Sequence, residues 1–85
     1  MKYIVVKSKG QETMLIFSEI IDHASVAKPY NMVISAGFLN VVLNKDYELS
    51  VSCFGKSLSL SVESRSNKDT ELAEQTMKIG KYRYC

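Results

Sequence analysis

Tryptophan is absent from this chain, histidine and proline each occur once, cysteine twice and glycine four times. So little proline and glycine excludes collagen-like and proline-rich sequence. Two cysteines in no metal or redox spacing, Cys53 and Cys85, exclude a disulfide framework and, with the single His23, fall short of the four-ligand set of structural zinc. Gly10, Gly37, Gly55 and Gly80 stand singly, so no phosphate-cradling loop exists. No apolar run approaches the roughly 20 residues that span a bilayer. A net charge of only +2 implies no polyanionic partner.

What is present is a small globular composition. The 85 residues are 46% apolar and 24% charged, which rules out wholesale disorder. A chain of this length is one domain, burying roughly 60–65% of the surface its unfolded form exposes. Charge is distributed unevenly. Residues 1–45 carry five basic and three acidic groups, residues 46–74 three and six, and residues 75–85 three and none. The opening Met1-Lys2-Tyr3-Ile4-Val5-Val6-Lys7 has four apolar residues between lysines, below the roughly 7–15 of a secretory signal, and reads as an unexported start. In a reducing cytoplasm both cysteines are expected as free thiols.

Hydrophobic patterning predicts an α+β architecture. Lys2–Lys7 and Thr13–Phe17 read as a hairpin with a loop of about five residues. Ser18 or Asp22 is placed to cap a short helix ending near Lys28, which Pro29 terminates. Met32–Leu43 is the most apolar stretch and reads as a central strand bent or bulged at Gly37. Asn44-Lys45-Asp46 supplies a turn. Gly55-Lys56 suits a two-residue hairpin turn, which sets Cys53 opposite Leu58, Val51 opposite Leu60, Leu49 opposite Val62 and Glu48 opposite Glu63. Ser66 or Asn67 caps a final helix running to about Ile79, with Asp69 and Glu71 in its first turn and Gly80 as its stop. The expected order is ββ, short helix, βββ, helix: an antiparallel sheet of about five strands with the C-terminal helix on one face. Residues 80–85 form a basic and aromatic tail.

Chemistry has few places to reside. His23 beside Asp22, with Cys53 or a serine, is the only catalytic pair to weigh, and no nucleophile signature accompanies it. No catalytic, metal or cofactor-binding residue is assigned, and the chain is expected not to be an enzyme. Two surfaces remain. The Gly55 hairpin would present Ser50, Ser52 and Phe54 beside Ser57, Ser59 and Ser61, with Arg65 at its edge: either a flat strip for a protein partner or a second copy, or a solvated sheet face. In the tail, Lys78, Lys81 and Arg83 alternate with Tyr82 and Tyr84, a pattern that could hold phosphates and stack on bases, or equally fold back onto the sheet. Arg65 and Asp69 sit where strand meets helix, and an ion pair there would lock the corner.

Val33-Ile34-Ser35-Ala36-Gly37-Phe38, then Cys53-Phe54-Gly55-Lys56-Ser57-Leu58-Ser59-Leu60, then Ser64-Arg65 and Asp69 carry a resemblance. Over about two-thirds of its length the chain resembles small uncharacterised proteins encoded by bacteriophages and prophages. The resemblance implies a cytoplasmic life in a bacterial host and names no activity, cofactor or catalytic residue. It points to a small non-enzymatic interaction module that binds a protein partner or itself as a homodimer; a weak nucleic-acid binder acting through the tail is the alternative.

Overall fold

A computed structural model describes residues 1–79. Its main sheet is built from β1 (Lys2–Ser8), β2 (Gln11–Phe17), β3 (Val33–Leu43) and β4 (Leu49–Phe54), in the spatial order β2-β1-β3-β4. All three ladders are antiparallel. A short helix α1 (His23–Ala27) follows β2. The chain then closes with a second, two-stranded sheet of β5 (Lys56–Ser57) and β6 (Val62–Glu63), and the helix α2 (Asn67–Met77). The expected α+β class and the C-terminal helix on the sheet are present, with six strands shared between two sheets.

The continuous run Ile4-Val5-Val6 marks a strand buried on both sides. Tyr3 and Val5 join Met14, Leu39, Val51 and Cys53 under Ala73 and Ile79 on the α2 side. Ile4 and Val6 join Ala36 on the other side, where Ala27 of α1 and the half-buried Leu60 and Val62 pack. The core is therefore two thin layers with β1 between them.

Turn chemistry fixes the local geometry. Lys9 and Gly10 both take positive φ (54° and 77°), so a two-residue turn joins β1 to β2, shorter than the loop expected from sequence. Between β3 and β4, the Asn44 side-chain oxygen accepts from the backbone N–H of Asp46 and Glu48, and Tyr47 takes the left-handed conformation at φ 60°. The helix α2 stops at Lys78, not Gly80. Lys78 sits at φ 55°, its N–H donates to the Gln75 carbonyl, and the Ile79 N–H reaches back to Glu74. This Schellman closure drives Ile79 into the core.

The hairpin expected at Gly55 does not form. Strand β4 pairs instead with β3, setting Val41 against Val51, Leu39 against Cys53 and Phe38 against Phe54. The alternation Leu49, Val51, Cys53 specifies a buried face and leaves the partner open, and the Asn44 turn supplies the nearer partner. Gly55, at φ 80°, then carries the chain off the sheet. Lys56 pairs with Glu63 and Ser57 with Val62, so Glu48 never meets Glu63. The bulge is displaced too. Val5 pairs with Ser35 and Val6 with Val33, which leaves Ile34 as the extra residue. Gly37 serves a close approach: a Cβ there would run into the Phe54 carbonyl oxygen and come within 3.2 Å of Ser64 Cβ.

Candidate interaction surface

A polar corner joins β1, β2 and α2 through hydrogen bonds and ion pairs. Asp69, fully buried, accepts from the Tyr3 hydroxyl at 2.6 Å, the Arg65 backbone N–H at 2.9 Å and Arg65 Nε at 2.8 Å. Arg65 also grips Glu12 on β2, with Nη2 2.8 Å from Oε1. The Ser64 hydroxyl lies 2.6 Å from the Tyr3 oxygen and completes the phenol's partners. The expected Arg65–Asp69 ion pair is present, extended by two residues that lie 53 and 66 positions away in sequence.

Burial alone would push the Asp69 carboxyl up. The bonds from Tyr3, the Arg65 backbone and the Arg65 side chain, with the nearby Ser35 hydroxyl, outweigh it and hold the group below the usual carboxylate range. Ser35 sits close enough to favour the ionised form without reaching hydrogen-bond geometry, so its buried oxygen is left unpartnered. Burial, then Asp69, pushes the Tyr3 phenol well above its ordinary value. Glu12 is lowered by its bonds to Arg65, and Arg65 is raised by Glu12. This corner is a structural clamp, and Arg65 is engaged in it from both sides.

His23 is likewise engaged. A carbonyl only accepts, so the 2.9 Å contact with the Gly37 oxygen makes Nε2 the protonated ring nitrogen. The ring stands edge-on to Phe17 and to Phe38, with centroids 5.6 Å away in each case. Cys53 faces the α2 side of the sheet, away from the layer that holds His23, and burial pushes its thiol up to about 11. The structure therefore does not bring Cys53 to His23, whereas Ser59 lines the same cavity as His23 and Asp22, with no hydrogen bond between Ser59 and the imidazole. Among the described residues, no three His, Cys, Asp or Glu side chains converge as metal ligands, and no helix is long and apolar enough to cross a membrane.

The serine strip is not a strip. Ser50, Ser52 and Phe54 are exposed along β4, but Ser57 is buried at 1% exposure, its oxygen accepting from the Leu60 N–H at 3.2 Å. Ser59 and Ser61 lie in the β5–β6 loop, out of line with β4. Lys78 is exposed at the end of α2, while Lys81, Tyr82, Arg83 and Tyr84 lie outside the described residues.

A different surface emerges from the register. Strand β3 is 11 residues long, against seven for β1. Its first half, Val33–Phe38, pairs with β1 and its second half, Phe38–Leu43, pairs with β4. Beyond Leu39 the β3–β4 hairpin continues as a two-stranded ribbon. It carries exposed Val42 (56%), Leu43 (57%), Tyr47 (79%) and Leu49 (45%), with exposed Phe54 at its base stacked on Phe38. Sequence reading missed Val42, Leu43 and Tyr47. The available signal was an apolar strand too long for its neighbours. No family model, curated protein or solved structure matches the chain.

Proposed function

We propose that this chain is a small non-enzymatic interaction module of a bacteriophage or prophage, acting in the bacterial cytoplasm, and that the β3–β4 ribbon is the surface it offers to a protein partner. The observation that carries this reading is the concentration of Val42, Leu43, Tyr47 and Leu49 on a ribbon that extends past the β1 ladder. Leu43 and Leu49 are cross-strand neighbours on one face of the ribbon and Val42 lies on the other. Exposed apolar side chains rimmed by polar groups mark interaction sites, and Lys45, Asp46 and Glu48 provide the rim. The phage context rests on the resemblance of the Val33–Phe38 and Cys53–Leu60 segments, with Ser64-Arg65 and Asp69.

A tagged pull-down from bacterial lysate, with and without nuclease, tests the reading. The expected result is one stoichiometric band that survives nuclease and disappears with the double variant Leu43→Glu and Tyr47→Glu. Light scattering at two concentrations asks whether the partner is a second copy, since a monomer holds a mass of 9.6 kDa throughout. Bands that vanish with nuclease would overturn the protein-partner reading in favour of nucleic acid.

A further inference from the structure

On the sheet face opposite α2, the gap between α1 and the β5–β6 sheet is incompletely filled. It leaves a cavity of about 400 Å³ lined by Phe38, His23, Leu58 and Ser59, with Lys2, Lys56 and Asp22 around it. A second cavity of about 430 Å³ adjoins it through Lys2 and Phe38. We propose that the first cavity is a binding site for a small aromatic carboxylate, its ring held against Phe38 and Leu58 and its charge met by Lys56 and Lys2.

Four observations support the assignment. The size lies in the range of small-molecule sites, and the surface of the wall is mainly apolar although most of the residues behind it carry a polar or charged end. The aromatic wall is fixed in place, because Phe38 is stacked on Phe54 at 6.0 Å and meets His23 edge-on, while His23 is tied to the Gly37 carbonyl. A ligand therefore meets a surface that is already ordered. Leu58, at 80% exposure, leaves most of its apolar surface uncovered beside the cavity.

Charge selects the class. Lys2 donates to the Ile21 carbonyl at 3.1 Å, which anchors its ammonium and leaves two of its three donors available. Lys56 has no polar partner among the described residues, and neither lysine is ion-paired. Among the described residues, Asp22 is the only carboxylate in the lining, and it caps no helix N–H with its side chain. Two ammonium groups against one carboxylate leave the site net positive, so an anion is preferred to its neutral isostere. This site is separate from the ribbon, and its existence does not depend on a protein partner.

The test is an NMR titration of the full chain with indole-3-acetate and with its neutral isostere indole-3-acetamide. Indole-3-acetate is expected to give saturable shifts at the amides of Lys2, His23, Phe38 and Lys56, with a dissociation constant of about 1 mM, typical of so small a ligand. The acetamide is expected to bind about fivefold more weakly, the scale of one partly exposed ion pair. Lys56→Gln should reduce acetate affinity to that of the acetamide and leave the acetamide unchanged, while Leu58→Ala weakens both. Both substituted residues are exposed, so the variants keep the fold, which the same spectra report. Equal affinity for acid and amide, shifts confined to the ribbon, or no saturable shift up to about 10 mM would each overturn the proposal.

Discussion

The Tyr3 hydroxyl donates to Asp69 Oδ2 at 2.6 Å, tying the first strand to the last helix through two fully buried side chains. Replacing Tyr3 with Phe removes the donor, leaves the Asp69 charge one partner short and leaves the Ser64 hydroxyl with only the Ser66 N–H as partner. Loss of a buried bond to a charged group predicts about 1–3 kcal/mol of destabilisation. Urea unfolding of Tyr3→Phe should show a lower midpoint at an unchanged slope. A midpoint equal to that of the parent protein would mean that the bond contributes nothing.

Asp69 also sets the response to acid. Its folded pKa is depressed, so its stabilisation is complete above the unfolded carboxylate value of about 3.9 and is lost as pH falls through the folded value. Glu12, lowered by Arg65, acts in the same direction. Stability measured from pH 7 downward should therefore stay flat and then fall below about pH 4. Asp69→Asn should start lower and fall less steeply across the same interval. Parallel curves for the two proteins would assign the acid response to other carboxyls.

Cys53 should be unreactive in the folded chain. Burial raises its thiol to about 11, so its stabilising contribution is complete below the unfolded thiol value of about 8.5 and is lost as pH rises toward 11. In a Cys85→Ser background, thiol labelling at pH 8 should be slower than in urea by on the order of a thousandfold or more, because it waits for the chain to open. Labelling within a factor of ten of the denatured rate would show that β4 opens locally at Cys53.

Lys78 holds a left-handed conformation at φ 55° to close α2, a geometry that favours glycine. Its side chain is exposed and takes part in no ion pair among the described residues. Lys78→Gly is expected to raise stability by about 0.5–1 kcal/mol, read as a higher thermal midpoint. A decrease would indicate that the lysine side chain contributes more than the backbone relief.

Much of this fold was legible where a signal is local. The Ile4-Val5-Val6 run, the Asn44 turn, the start of α2 after Ser66 and the short helix before Pro29 each follow from residues a few positions apart, although neither Ser66 nor Asp22 caps its helix with its side chain. The Arg65–Asp69 ion pair was legible for the same reason, being one helical turn in length. Its extension to Tyr3 and Glu12 was not, because nothing local distinguishes a strand tyrosine that meets a distant carboxylate from one that only packs. The error at Gly55 has the same origin. Leu49, Val51 and Cys53 declare which face is buried, whereas their pairing with β3 depends on how far β3 runs beyond β1. The exposed ribbon follows from that difference in length and was hidden with it.

The division of β3 between two partners has a kinetic consequence. Near Val33–Phe38 the strand is held on the β1 side and packed on both faces, whereas Val42 and Leu43 are paired only through β4. An isolated two-stranded ribbon is marginal in water. The tip at Asn44–Glu48 should therefore breathe on its own, its amide protons exchanging by openings that leave the centre of the sheet intact. A partner that grips the tip must first quiet it, which lowers affinity for a given contact area and quickens release. Such a surface suits brief engagement better than permanent assembly.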